Sequence, residues 1–256
     1  MKENIPDNYI DLTITSPPYD KLRNYNGYNF DFENIAQELY RVTKNEGVVI
    51  WVVGDETKNF CESLTSFNQA IYFKNIGFKI ETMIYEKQNP TYNINSKRYK
   101  QSFEFMFILN KGNPKTFNPI RDVEIKNIKP RMVKKRRNNT EDCVELYIPK
   151  NTHTVRDNIW KYNPGSSSSK DKIAFLHPAI FPEQLAQDHI LSWSNEGDII
   201  FDPMCGSGTT CKMAWLNKRN FIGIDISEEY INNICIPRLN TYDWEQNQKI
   251  TFQKCL

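Results

Sequence analysis

Two short stretches, far apart in the chain, carry residue types that can do chemistry together. The first is Thr15-Ser16-Pro17-Pro18-Tyr19. Neither proline has an N–H for a strand ladder, so the apolar run at 9–14 must stop at Ser16. Pro17 holds φ at about −65°, and Ser16, ahead of a proline, is kept out of the helical region. The rim so formed offers a hydroxyl, unpaired carbonyl oxygens and an aromatic face. Ser16 Oγ and the Pro17 carbonyl can accept hydrogen bonds from an exocyclic amine, while Tyr19 stacks on the ring that bears it.

The second stretch is Asp202-Pro203-Met204-Cys205-Gly206-Ser207-Gly208-Thr209. It follows Ile199-Ile200-Phe201 and reads as strand, turn and helix start. Its glycines let the backbone approach a ligand without Cβ interference. Asp202, at the strand's carboxyl end, is placed to bind a cationic amino group. Asp225 ends the next strand, seventeen residues after Gly208, where an acid accepts hydrogen bonds from ribose hydroxyls. The third glycine of the dinucleotide fingerprint is missing, and no Gly-Lys-Ser/Thr is present for a triphosphate. A nucleoside carrying an amino acid suits both acids, which points to S-adenosylmethionine.

The elements that must position these stretches alternate regularly. A helical stripe covers residues 32–41, a buried strand 48–53, and a second helix carries Phe67, Ala70, Ile71 and Phe73 on its apolar face and ends at Gly77. Strand candidates at 78–86 and 103–109 are expected to pair antiparallel. After a break come a helix at 182–193, the strand at 199–201, a helix through Cys211 and Ala214, the strand at 221–225 and a helix capped by Ser227. This alternation predicts an α/β fold with a doubly wound, mostly parallel sheet. Between 111 and about 174 the periodicity dissolves among prolines, basic residues and Ser166–Ser169. That segment reads as a small irregular inserted lobe. The expected organisation is a catalytic half at 1–110, an inserted target-recognition lobe at 111–175 and a cofactor-binding half at 176–256.

Composition bounds the partners. The 256 residues carry a net charge of only +2, yet Lys126, Lys129, Arg131, Lys134, Lys135, Arg136 and Arg137 fall in one acid-free run. Such a cluster suits a polyanion. The six cysteines form no C-x-x-C pair and the three histidines do not join them, which predicts no metal site and reduced thiols in a cytoplasmic setting. No apolar run approaches the ~20 residues of a membrane span.

The two chemical stretches together resemble the DNA amino-methyltransferases of prokaryotic restriction–modification systems, which methylate cytosine N4 or adenine N6. The catalytic motif comes first and the cofactor motif last, the β-group order. Segments 51–55, 103–112, 177–185 and 223–227 fit the same pattern. The resemblance implies the Rossmann-like methyltransferase fold, with Ser16, Pro17 and Tyr19 at the chemistry and Thr15 and Pro18 shaping the turn. It also implies that Asp202, Pro203, Cys205, Gly206, Ser207, Gly208 and Thr209 line the methionine end of the cofactor. Asp225 should then hold the ribose, and Phe181-Pro182 should lie against the cofactor. Cys205 sits where the family varies, so it reads as a packing residue, not a nucleophile. Double-stranded DNA is the implied partner, met by Arg98, Lys100, Arg131, Lys134, Lys135, Arg136 and Arg137. A cognate restriction endonuclease and a homodimer are compatible with the family.

Within that resemblance, serine ahead of Pro-Pro-Tyr favours cytosine N4, because a neutral hydroxyl both accepts from the amine and donates to the adjacent ring nitrogen. Adenine N6 presents a similar edge and is the alternative. The target base must be flipped out of the duplex. Carbon-5 methylation needs a cysteine nucleophile, usually in a Pro-Cys pair, and none of the thirteen prolines precedes a cysteine. A non-catalytic DNA-binding relative and an RNA or protein-glutamine methyltransferase are the remaining readings. The family normally has a strand and an acid just upstream of the catalytic segment, which are missing here. Residues 249–256 resemble that piece, so they are expected to fill the sheet beside residues 9–13, with Lys254 at the usual acidic position.

Overall fold

A computed structural model describes residues 5–18, 30–90, 97–126, 131–135, 143–147, 151–164, 168–242 and 249–252, with the backbone alone for 131–135, 143–147 and 249–252. The chain forms two compact units. One joins Met1–Asn118 to Asn158–Leu256, and the other is Pro119–Asp157.

The apolar run ahead of the prolines becomes β1 (Ile10–Thr15). Ile10, Leu12 and Ile14 are wholly buried, and so are Thr13 and Thr15 on the opposite face. A strand covered on both faces belongs in the middle of a parallel sheet. Helix α1 (Phe32–Val42) starts at Asp31, whose side chain accepts from the Asn34 N–H, and buries Ala36, Leu39 and Val42. Strand β2 (Thr43–Val53) is buried from Gly47 to its end. The short pair β3 (Thr57–Lys58) and β4 (Cys61–Glu62) leads into α2 (Thr65–Asn75). Strands β5 (Lys79–Lys87) and β6 (Phe103–Asn110) pair antiparallel, as their patterns predict.

Helix α2 differs from expectation. Phe73 is buried, but Phe67 and Ile71 are exposed, and Ser66 and Gln69 face inward instead. The reason is polar: Trp51 Nε1 donates to Gln69 Oε1 at 2.8 Å, and Asp55 accepts from both the N–H and hydroxyl of Ser66. Satisfying a buried indole N–H and a carboxylate outweighs burying two more apolar side chains.

The second unit holds β7 (Val123–Glu124), β8 (Arg131–Lys135), β9 (Cys143–Tyr147) and β10 (His153–Thr154). Its strands pair antiparallel, β8 with β9 and β7 with β10. It is therefore narrower than the lobe expected at 111–175. Residues 159–162 return to the first unit as β11 (Ile159–Tyr162), parallel to β5. Four residues are too few to show a strand period.

A 3₁₀ turn at Lys172–Leu176, to which the sequence pattern assigned no element, precedes elements that follow that pattern: α3 (Glu183–Trp193), β12 (Ile199–Asp202), α4 (Thr209–Leu216) and β13 (Asn220–Asp225). A continuous helical segment then runs through α5 (Glu228–Tyr230), a π-helical turn at Ile231–Cys235 and α6 (Ile236–Asn240). Strand β14 (Lys249–Phe252) comes last. The eight-stranded sheet has the order β11-β5-β6-β2-β1-β12-β13-β14. The terminal strand thus joins the sheet, but at its edge beside β13 and not beside β1. Both sides of β1 are already taken, by β2 and β12. Lys254 lies outside the described residues. Among the described residues no helix is long and apolar enough to cross a membrane.

Candidate functional site

Parallel pairing of β1 with β12, Leu12 opposite Ile200 and Thr13 opposite Phe201, brings the two chemical stretches to one edge of the sheet. Each begins where its strand runs out. Adjacent carboxyl ends in an open α/β sheet form the crevice where ligands bind. A direct bond closes the juxtaposition: Thr15 Oγ1 donates to Asp202 Oδ1 at 2.8 Å. Thr210 Oγ1 donates to the Ile14 carbonyl at 3.2 Å. At the opposite end of the same strands, Asp11 accepts from the Ile199 N–H at 3.0 Å. The strand pair is fastened at both ends.

Ser16 is half-buried, Pro17 buried and Pro18 half-buried at the rim. Tyr19 lies outside the described residues. Asp202 is almost fully enclosed and also accepts from the Met204 N–H at 3.1 Å. Burial drives its carboxyl up to about 7, against the downward pull of the Thr15 and Met204 hydrogen bonds.

The turn after Pro203 is held by its own backbone and by Asp225. The Cys205 N–H donates to the Ile224 carbonyl at 2.8 Å, and Gly208 N–H to the Cys205 carbonyl at 2.7 Å. Asp225 Oδ2 accepts from Gly206 N–H at 2.8 Å and Oδ1 from Ser227 N–H at 2.9 Å. Burial raises Asp225 as well, opposed by those backbone bonds. Gly206 and Gly208 have φ of +48° and +75°, so both need glycine's freedom. Space demands it too. A Cβ on Gly206 would lie 2.7 Å from His177 Nε2, and one on Gly208 would lie 2.6 Å from Cys235 Sγ. Cys205, Cys211 and Cys235 pack behind the turn, with Cys211 Sγ and Cys205 Sγ 2.7 and 3.2 Å from where a Gly223 Cβ would sit.

Beneath the turn lies an ionic cluster that sequence reasoning missed. Arg238, with no exposed surface, donates from Nη1 to the Ser207 carbonyl at 2.9 Å and to Thr209 Oγ1 at 3.0 Å. Its Nε meets Asp171 Oδ2 at 2.8 Å and its Nη2 meets Glu183 Oε1 at 2.6 Å. Lys212 pairs with the same two acids, each at 2.8 Å. Burial alone would raise the Asp171 carboxyl, but hydrogen bonds from Lys212, Tyr242 and Arg238 hold it down at about 2. Glu183 is the first residue of α3 and follows Pro182, so Phe181-Pro182 is tied to the turn through Arg238. The available clue was Lys212, the one charged residue in α4. His177, whose imidazole covers Gly206 and packs edge-to-face with Tyr230, ring centroids 4.5 Å apart, was overlooked within its motif.

The residues fit S-adenosylmethionine: a strained glycine turn whose Cβ positions are already filled from behind, with acids ending both neighbouring strands. Of the DNA candidates, Arg98 and Lys100 are exposed between β5 and β6. Arg131, Lys134 and Lys135 belong to β8. Arg136 and Arg137 lie outside the described residues.

Known proteins resemble this chain. The pattern of a DNA methylase family of N6- and N4-methyltransferases matches residues 10–235. An orphan methyltransferase, M.BamHII of Bacillus amyloliquefaciens, is 54% identical over 94% of this chain and 93% of its own. The DNA adenine methyltransferase YhdJ of Escherichia coli is 29% identical over 90% of this chain and 76% of its own. The crystal structure of the M1.HpyAVI–SAM complex superposes with a TM-score of 0.58 at 26% identity, covering 93% of this chain and 91% of that one.

Proposed function

The chain belongs to the N6/N4 DNA methylase family and uses S-adenosylmethionine, and we propose that its acceptor is the N4 amine of a cytosine flipped from double-stranded DNA. The observation that supports this reading is the Thr15–Asp202 bond, which joins the residue just before Ser16 to the acid at the start of the turn that would bind the cofactor.

When bound, S-adenosylmethionine supplies an electrophilic methyl group on a sulfonium. Asp202 and the 205–209 turn would hold its methionine end, Asp225 its ribose, and Phe181-Pro182 its flank. The chain's own work is positional. An exocyclic amine is a poor nucleophile because its lone pair is delocalised into the ring. Hydrogen bonds from that amine to Ser16 Oγ and the Pro17 carbonyl favour a tetrahedral nitrogen and aim the lone pair. Tyr19 would hold the flipped ring by stacking. The proton leaves after the new bond forms, so no side chain of shifted pKa is needed at the amine. Ser16 supports cytosine because its hydroxyl can also donate to the unprotonated ring nitrogen beside the amine, which an ionised carboxylate cannot do.

Basic side chains at 98, 100, 131 and 134–137 would meet phosphates. The relative at 54% identity is named an orphan methyltransferase, which favours a methylase working without a paired endonuclease. Incubation with unmethylated plasmid DNA and radiolabelled cofactor, followed by nucleoside analysis, tests the proposal. N4-methylcytosine is expected, and recovery of N6-methyladenine alone would overturn the cytosine assignment. Ser16→Ala should lower kcat roughly 100-fold with cofactor affinity unchanged.

A further inference from the structure

The connection between β5 and β6 leaves the sheet at the same edge as the catalytic turn. Register shows this: Thr15 lies opposite Trp51, Val53 opposite Phe105, and Phe103 opposite Glu86. Near the end of that connection stands Tyr99, 98% exposed. With Pro90, Arg98, Lys100 and Ser102 it lines an open hollow of about 530 Å³. The Lys87 N–H donates to the Ser102 carbonyl at 2.7 Å and the Gln88 N–H to the Tyr162 carbonyl at 2.9 Å, so the base of the connection is anchored. Nothing in the core requires an aromatic ring at this position. A tyrosine almost wholly in water, between two cations, suits a partner that brings both a flat ring and phosphates.

We propose that Tyr99 is a stacking platform for a nucleobase flanking the target, with Arg98 and Lys100 on the adjoining phosphates. The inference rests on the DNA-methylating reading above and adds to it a site for a second nucleotide. Distance along the sheet says which nucleotide. Strand β6, which Tyr99 shortly precedes, is two intervals from β1 in the sheet order, roughly 10 Å at about 4.8 Å each. That equals about three steps of 3.4 Å along one strand of a duplex. Tyr99 is therefore set apart from the target base, whose ring belongs to the Ser16 rim. Stacking is sequence-tolerant because every base has a π-face, so this contact would add affinity and help hold the opened strand without reading sequence.

The test compares the full-length protein with Tyr99→Ala, Tyr99→Phe and Arg98→Ala, measuring binding to a 20-nucleotide oligothymidine by fluorescence anisotropy across a salt series. Tyr99→Ala should weaken binding about tenfold with an unchanged slope of log K against log salt, and Tyr99→Phe should restore it. Arg98→Ala should instead flatten the slope. Wild-type affinity in Tyr99→Ala, or a flattened slope in that variant, would overturn the stacking role. Cofactor binding by calorimetry should stay at the wild-type value in every variant, since Tyr99 is exposed. The wild-type methylation assay separately judges the reading on which this rests: if it transfers no methyl to DNA while oligothymidine binding depends on Tyr99, the activity fails and the platform stands.

Discussion

At the scale of single residues, the site depends on a carboxyl group enclosed at the meeting of two strands. Asp202 is raised to about 7 from an ordinary 3.8, so the native protein keeps a proton that the unfolded chain has released. Its contribution to stability is therefore complete below about pH 4 and is lost as pH rises through 7. Three units correspond to at most about 4 kcal/mol. Asp171 has the opposite sign. Held at about 2, it contributes above about pH 4 and that contribution is lost as pH falls through 2, so it is constant in the upper window. Asp202→Asn should flatten the change in urea midpoint between about pH 4.5 and 7.5; a pH dependence equal to wild type would refute this account. Asp202 itself was legible in the sequence as a carboxylate ending a strand. Its bond to Thr15 was not, because neither residue type announces a partner 187 positions away.

At the scale of elements, the glycine turn is squeezed between helix and sheet. Gly208 precedes α4 with φ of +75°, and the sulfur of Cys235 fills the space a side chain would need. Gly208→Ala should cost about 2–4 kcal/mol, part from the left-handed backbone and part from overpacking. Adding Cys235→Ala removes the overlap but not the backbone strain, and should recover about 1 kcal/mol in a double-mutant cycle read by urea denaturation. Strict additivity would show that the sulfur is not the obstacle. The turn was legible because Gly-x-Gly after a strand has few other uses. The inward face of α2 was not, since periodicity ranks Phe67 and Ile71 above Ser66 and Gln69 and cannot see the Trp51 indole that needs a partner. Arg238 escaped for a related reason: a lone arginine on a helix reads as surface until its acids, 55 and 67 residues away, fold around it.

At the scale of the whole molecule, the order of elements foretold a doubly wound, mostly parallel sheet with an antiparallel strand, and in the eight-stranded sheet β6 runs antiparallel to both its neighbours, β5 and β2. The edge position of β14 was beyond reach, because strand pattern says which segments pair but not in which slot. The unit Pro119–Asp157 begins and ends close together, the Arg156 N–H donating to the Ile120 carbonyl at 2.9 Å. Replacing it by a short Gly-Ser linker should leave cofactor binding by calorimetry intact while abolishing tight binding to duplex DNA. Retained duplex affinity would remove that unit from the DNA-binding surface. The stitch between Thr15 and Asp202 also governs when the protein can first work. The ribosome adds about 5–20 residues per second, so β1 emerges roughly 10–40 s before its partner strand exists. A nascent chain therefore holds half a pocket and cannot transfer a methyl group until β12 has been made.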